Sequence, residues 1–167
     1  MMFDLSFRAR KARNDKSLVK TMSDLRELYQ EVILGHYKKP RNAGRLEEPT
    51  CSASGDNPLC GDKLSMTLKT KGDLLEDLRW QGAGCAISTA SASLMSEAVK
   101  GKSKAEIQAL FEKFHAMVTG TGKSDGLEKL EVFSGVSEFP VRVKCASLAW
   151  HTLRAALEGQ QEPVSTE

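Results

Sequence analysis

The sequence predicts an α+β domain in which helices pack on one face of a small antiparallel three-stranded sheet. Three observations predict this class. Apolar and polar residues alternate over 63–80, as is typical of strands. Apolar residues recur at helical spacing over 23–39, 86–100, 103–119 and 140–158. Glycine and proline residues separate these segments, so the predicted order is helix, strands, helix, helix, loop, helix.

The first half of the domain is predicted to contain one helix and the sheet. The helix over 23–39 ends at Pro40, and residues 40–58 are rich in turn-forming residues, so they predict a winding loop with a short edge strand near 50–54. The alternation then breaks at Lys71-Gly72-Asp73, which predicts the turn of a β-hairpin with one buried face.

The second half is predicted to be helical. One helix follows Cys85, and Ser103 with Glu106 forms the capping box of the next. Residues 120–139 contain four glycines and predict a partly ordered inserted loop, and Pro140 suits the first turn of the last helix. Trp80 and Trp150 fall on apolar stripes and are predicted to be core, whereas His115 and His151 are expected to be partly exposed helix residues without a cluster.

Composition and charge limit the classes of protein to consider. The chain has 167 residues, 40% hydrophobic and 28% charged, which suits a single domain. No run approaches the ~20 apolar residues that cross a bilayer, and the N-terminus lacks the apolar block of a secretory signal. We therefore expect a cytoplasmic protein without a membrane partner, in which the four cysteines form no disulfides.

The charge distribution predicts the domain boundaries. Residues 1–21 contain six basic and two acidic side chains, so they carry +4, whereas the remaining chain carries −2. This pattern predicts a basic disordered extension over 1–21, a domain over 22–159 and a flexible tail over 160–167. Six basic residues alone are a weak nucleic-acid signal, so a nucleic-acid partner is not expected.

Three cysteines and an aspartate lie at the ends of predicted elements. In Cys60-Gly61-Asp62 a thiol and a carboxylate share a tight turn before the hairpin, and Gly61 lets both face one point. Cys85 lies at a helix N-terminus, which favours a thiolate. Cys145 lies on the inward face of the last helix. These residues could converge on a zinc ion or hold an iron–sulfur cluster, or Cys85 and Cys145 could simply be small buried residues.

A set of motifs decides between these alternatives. It comprises Leu28–Ile33, His36–Asn42, Asn57–Asp62, Gly82–Ser88 and Arg142–Cys145. In this order and with these gaps, the set resembles the iron–sulfur cluster assembly family of IscU and the N-terminal part of NifU. The resemblance runs from about Leu25 to Leu157 and implies a SufE/NifU-like fold. It implies further that Cys60, Asp62, Cys85 and Cys145 meet at one exposed end and bind zinc or a nascent cluster; Cys51 matches no motif position.

Two departures place the chain within that family. Lys144 stands where IscU has a histidine before the last cysteine, and residues 120–139 form an insertion. Both features resemble the SufU branch, whose members work with a SufS-type cysteine desulfurase, bind zinc and accept persulfide sulfur.

The resemblance therefore leads to a functional hypothesis. Cys60, on the most mobile loop, would accept the sulfur, and Arg142 would either donate hydrogen bonds around the ligands or be an ordinary solvated arginine. The alternative is a scaffold that builds a [2Fe–2S] or [4Fe–4S] cluster on the same ligands and passes it to apoproteins. A third hypothesis is a zinc ion that serves folding only, with the basic extension binding nucleic acid.

Overall fold

The computed structural model describes residues 24–166, so the predicted extension over 1–21 lies outside the described residues. The chain divides into two compact units within its first helix, Met1–Val32 and Ile33–Glu167. In the first unit, residues 24–32 are helical. The second unit contains the rest of this helix, α1, which ends at residue 38. The elements that follow are β1 (Cys51–Asn57), β2 (Asp62–Lys71), β3 (Leu74–Ala83), α2 (Ala86–Val99), α3 (Lys104–Thr119), a 3₁₀ segment (Glu128–Glu138), α4 (Pro140–Leu157) and β4 (Val164–Ser165).

The sheet has four strands of mixed orientation, so the prediction of three antiparallel strands was wrong. The order is β3-β2-β1-β4. The pairs β1–β2 and β2–β3 are antiparallel, whereas β4 runs parallel to β1 through the pairs Gly55↔Val164 and Asp56↔Ser165. Two residues are too few to show an alternating pattern, which is why the sequence did not reveal β4. The strand lies in the segment 160–167, for which a flexible tail was expected.

The core lies between one face of this sheet and helices α2 and α4, with α3 packed on α4. Leu64, Met66 and Leu68 alternate along β2 and are buried, while the intervening Lys63 and Ser65 are exposed. Helix α4 packs on β1 and β2, and α2 packs on β3 and on α4. The predicted core positions of Trp80 and Trp150 are confirmed, since both side chains are buried. Because α4 packs on β1 and β2, its buried Cys145 lies on the core side of the sheet.

The predicted helix boundaries agree with the structure. In the capping box of α3, Glu106 N donates to Ser103 Oγ over 3.2 Å, and Ser103 N donates to Glu106 Oε2 over 3.3 Å. Pro140 occupies the first turn of α4, as predicted. The predicted loop over 120–139 is more ordered than expected, because its second half forms the 3₁₀ segment with four buried side chains, those of Leu130, Val132, Phe133 and Val136.

A buried histidine fixes the segment after α1. His36 Nδ1 lies 2.7 Å from Ser93 Oγ on α2, and the same hydroxyl accepts a hydrogen bond from Arg41 N over 2.8 Å. Burial lowers the pKa of His36, although Glu97 opposes this shift. His36 therefore anchors the loop against α2 instead of reaching the cysteines. Among the described residues, no helix is long and apolar enough to span a membrane.

Candidate metal centre

The turn between β1 and β2 forms one side of the site. Asn57 ends β1 and pairs in register with Asp62, the first residue of β2. The backbone amides of Cys60 and Gly61 both donate to Asn57 O, over 3.2 and 2.9 Å. Gly61 adopts φ +71°, a left-handed conformation that glycine permits without a steric penalty. The turn therefore holds Cys60 and Asp62 beside each other at the end of the sheet.

Helix α4 brings the last cysteine to this turn. Cys145 is fully buried, and its Sγ lies 3.2 Å from Cys60 Sγ. One ligand atom each from Cys60, Asp62 and Cys145 lies within 4.8 Å of the other two. Two thiols and a carboxylate, separated by up to 85 residues in sequence, thus form one compact group.

Asp62 is the least satisfied side chain of this group. It is fully buried. Its Oδ1 accepts a hydrogen bond from Cys85 N over 2.9 Å, whereas its buried Oδ2 has no hydrogen-bond partner. A buried carboxylate oxygen without a partner carries a large desolvation cost, which a coordinated cation would offset.

Cys85 lies at the start of α2, as predicted, and acts as its N-cap. Its Sγ accepts a hydrogen bond from Ser88 N over 3.4 Å. The Cys85 sulfur lies outside the compact group of Cys60, Asp62 and Cys145, but it interacts with the Cys145 thiol. Cys85 therefore interacts with the group in two ways. Its backbone amide donates a hydrogen bond to Asp62, and its sulfur interacts with Cys145.

The packing of these groups raises the pKa of the Cys145 thiol. Burial is the main cause, followed by the neighbouring side chains of Cys60, Cys85 and Asp62. The cysteines in turn affect Arg142, an exposed side chain one turn before Cys145. Its pKa is raised chiefly by the negative charge of Cys85, with contributions from Cys145 and Cys60. Arg142 is therefore close enough to the three cysteines for their charge to act on it, and the effect of Cys85 is the largest.

The donor set fits zinc. Thiolate sulfur and carboxylate oxygen are both zinc ligands. Cys60, Asp62 and Cys145 offer three such atoms in one compact group, and the Cys85 sulfur interacts with Cys145 beside it. The partnerless Asp62 Oδ2 and the close thiols of Cys60 and Cys145 are the features that such an ion would satisfy. The same three thiolates would also suit an iron–sulfur cluster as cargo.

Sequence reasoning missed one neighbour of the site. Asn57 is fully buried, its Nδ2 lies 3.6 Å from Cys145 Sγ, and its Oδ1 has no hydrogen-bond partner. Its amide is placed to donate a hydrogen bond to this sulfur. The only signal for Asn57 in the sequence was its place directly before Pro58 in a motif.

Cys51 lies apart from the site. It begins β1, whereas Asn57 ends it, and six residues of extended chain span roughly 20 Å. Burial raises the pKa of the Cys51 thiol, although Thr50 and Lys104 oppose the shift. Cys51 therefore lies too far from the group to belong to it, and it offers a matched control for substitutions at the other cysteines.

Replacing Gly84 with alanine tests how closely the backbone at this residue approaches the Asp62 carboxylate. A Cβ at this position would lie 2.6 Å from Asp62 Oδ1 and 3.1 Å from its Cγ. We expect Gly84→Ala to displace the carboxylate, to lower the free energy of unfolding by ~1–3 kcal/mol and to reduce the zinc content of the purified protein. Urea unfolding and metal analysis measure both effects. Gly135→Ala is the control, because nothing lies within 4 Å of its Cβ. Equal zinc content in the two variants would contradict the expected displacement.

Comparison with known proteins assigns the family. Residues 28–163 match the NifU-like N terminal domain. The chain belongs to the NifU-like N terminal domain family. Within this family it is 39% identical over 141 residues to the zinc-dependent sulfurtransferase SufU of Bacillus subtilis. The alignment covers 83% of this chain and 95% of that protein. It is 42% identical over 139 residues to the iron-sulfur cluster assembly scaffold protein IscU of Streptococcus pyogenes. This alignment covers 82% of this chain and 87% of that protein.

Solved structures of the NifU-like family share the fold. An iron-sulfur cluster assembly scaffold protein for the SUF system from Fervidobacterium islandicum superposes with a TM-score of 0.73 at 34% identity, covering 76% of this chain and 94% of that one. The N-terminal part of a NifU-like protein from Brucella abortus, at 22% identity, also superposes with a TM-score of 0.73, which shows the shared fold. The resemblance seen in the sequence is therefore confirmed.

Proposed function

We propose that this chain accepts persulfide sulfur from a SufS-type cysteine desulfurase at a zinc-bound cysteine site and relays it for iron–sulfur cluster assembly. The observation that carries this proposal is the compact group of Cys60, Asp62 and Cys145 around the partnerless Asp62 Oδ2. The similarity to the zinc-dependent sulfurtransferase SufU supports the same reaction.

The zinc ligands in this proposal are Cys60, Asp62, Cys85 and Cys145. When bound, zinc keeps cysteine sulfur deprotonated and shields it from oxidation. Cys145 is buried and retains the ion, and Asp62 contributes the negative charge. Cys85 lies at the N-terminus of α2, where free amides favour its thiolate.

Cys60 is the sulfur acceptor in this proposal. It is half-buried and lies on the turn before β2, whereas Cys145 is fully buried. The Cys60 thiolate attacks the terminal sulfur of the desulfurase persulfide, and the bond between the two desulfurase sulfurs breaks. A new sulfur–sulfur bond forms on Cys60, and the desulfurase cysteine leaves as a thiolate. The terminal sulfur keeps its proton, so atoms, electrons and charge balance.

Arg142 and Asn57 position the sulfur ligands in this proposal. The exposed guanidinium of Arg142 stabilises negative charge on Cys85, and Asn57 Nδ2 points to Cys145 Sγ from the buried side. In this proposal each side chain favours a thiolate, Arg142 at Cys85 and Asn57 at Cys145. The downstream partners would be cluster assembly proteins and apoprotein acceptors, in the cytoplasm.

A scaffold role is the second candidate function. The relative from Streptococcus pyogenes is named a cluster assembly scaffold, and the three cysteines here suit a cluster as cargo. In that case a [2Fe–2S] or [4Fe–4S] cluster would form on Cys60, Cys85 and Cys145 and move to an apoprotein.

One experiment separates the two functions. The turnover of a SufS-type desulfurase is measured with and without this chain, and zinc and iron are measured in the same preparation. Sulfur relay predicts one tightly bound zinc, no visible absorbance and faster desulfurase turnover. A coloured, iron-containing protein that transfers its cluster without stimulating the desulfurase would instead establish the scaffold role.

A further inference from the structure

A cavity with a volume of about 280 Å³ lies outside the metal centre. Its lining comes from α3, α4 and the C-terminal residues 164–166. The polar side chains that line it are those of His115, Lys144, Ser147, His151, Ser165 and Thr166. The expectation that the two histidines would form no cluster was wrong, because α3 and α4 bring them together.

Both histidines are held in place by one aromatic ring. The centroids of His115 and His151 are 6.0 Å apart, and those rings lie 5.8 and 5.3 Å from the ring of Phe111. Burial lowers the pKa of His151, and the charges of His115 and Arg154 lower it further. The Phe111 ring therefore contacts both imidazoles at the edge of the cavity, and burial disfavours protonation of His151.

Two hydroxyl groups of the cavity lack a partner. Ser147 is only 5% exposed, and its buried Oγ makes no hydrogen bond. Thr166 Oγ1 is likewise buried and without a partner, although Thr166 N donates to Asp56 O over 3.2 Å and thereby fixes this residue beside β1. Buried hydroxyls are normally satisfied, so two orphan hydroxyls in one cavity point to a ligand that completes them.

The chemical groups that line the cavity indicate which class of ligand it would bind. Lys144, Ser147 and His151 follow one another at i, i+3 and i+7, so they share one face of α4. Their side chains offer an ammonium, a hydroxyl and an imidazole, and no carboxylate lines the cavity among residues 24–166. A set of donors with net positive charge and no acidic group suits a ligand with several acceptor oxygens.

We infer that this cavity binds a small oxyanion, namely a phosphate or the phosphate group of a small monoester. Lys144 supplies positive charge, the two imidazoles supply N–H donors, and Ser147 and Thr166 supply hydroxyl donors at the wall. The inference stands apart from the proposed function, because none of these five residues belongs to the proposed zinc site. Failure of one proposal would leave the other intact.

An NMR titration of the zinc-loaded chain tests the inference. Inorganic phosphate and glycerol 3-phosphate are added separately, with sodium chloride adjusted to hold ionic strength constant. We expect saturable shifts of the Ser147 amide and of the His115 and His151 ring signals. Tighter binding of the ester would identify a monoester as the ligand, and tighter binding of phosphate would identify the free ion. The absence of saturable shifts with both anions would overturn the inference.

Matched variants locate the binding. Lys144→Gln and Ser147→Ala should each weaken binding about fivefold or more, because each removes one hydrogen bond to an anion. Lys113→Gln removes a charge from α3 at a residue that does not line the cavity, so it should leave the affinity unchanged. Arg142→Gln should also leave the affinity for the anion unchanged, because Arg142 does not line the cavity. Loss of binding in Arg142→Gln alone would place the anion at the metal centre and overturn the inference.

Discussion

Replacing Cys60 with alanine is expected to abolish persulfide formation on the chain. Cys60 is the accessible thiol of the compact group, since it lies half-buried on the turn while Cys145 is fully buried. After incubation with a SufS-type desulfurase and cysteine, mass spectrometry of the intact chain reports the added sulfur. We expect the wild-type chain to gain one sulfur atom and Cys60→Ala to gain none.

The control for this experiment is Cys51→Ala. Cys51 lies at the opposite end of β1 and is half-buried, so its removal changes the number of thiols without changing the site. Labelling of Cys51→Ala should match that of the wild-type chain. If Cys60→Ala carried as much added sulfur as the wild-type chain, then Cys85 or Cys145 would be the acceptor and the assignment of Cys60 would fail.

Replacing Cys145 with serine is expected to lower the affinity for zinc by at least ~100-fold. Residues that merely support a ligand cost roughly 10–100-fold when they are replaced, and Cys145 is a ligand in the proposed site. The serine hydroxyl remains protonated at neutral pH and is not a zinc ligand of structural sites. At a fixed free zinc concentration, a 100-fold loss of affinity removes ~2.7 kcal/mol of stabilisation from the folded chain.

Competition with a chromogenic chelator measures this affinity, and thermal unfolding in zinc-buffered solution measures the lost stability. Circular dichroism of both proteins establishes whether the variant retains its secondary structure. Cys51→Ser, the control with the same chemical change, should keep the wild-type affinity. An unchanged affinity in Cys145→Ser would exclude Cys145 as a ligand, whatever the effect on folding.

The sequence predicted those parts of the fold that rest on local periodicity. The hairpin was visible because Leu64, Met66 and Leu68 alternate with polar residues over a full strand. The start of α3 was visible because the capping box is a short local pattern. By contrast, the two-residue strand β4 depends on backbone pairing with a distant segment, and the 3₁₀ segment buries its side chains without a regular period.

The candidate site was predictable to the level of residue types and element ends. Cys60-Gly61-Asp62 and Cys85 lie at junctions that the sequence indicates, and the family motifs group them with Cys145. Their distances were not predictable, because the contact between Cys60 and Cys145 depends on how α4 packs against the sheet. The pairing of His115 with His151 could not be predicted for a similar reason, because it depends on how α3 packs against α4.

The short parallel strand β4 has a consequence for association between copies of the chain. Without it, β1 would present a row of free backbone N–H and C=O groups, a template on which another strand can add. The pairs Gly55↔Val164 and Asp56↔Ser165 close this row next to Asn57, where the turn with Cys60 begins. Over these two residues β1 is paired on both sides, so another strand cannot add to β1 directly beside the turn that carries Cys60.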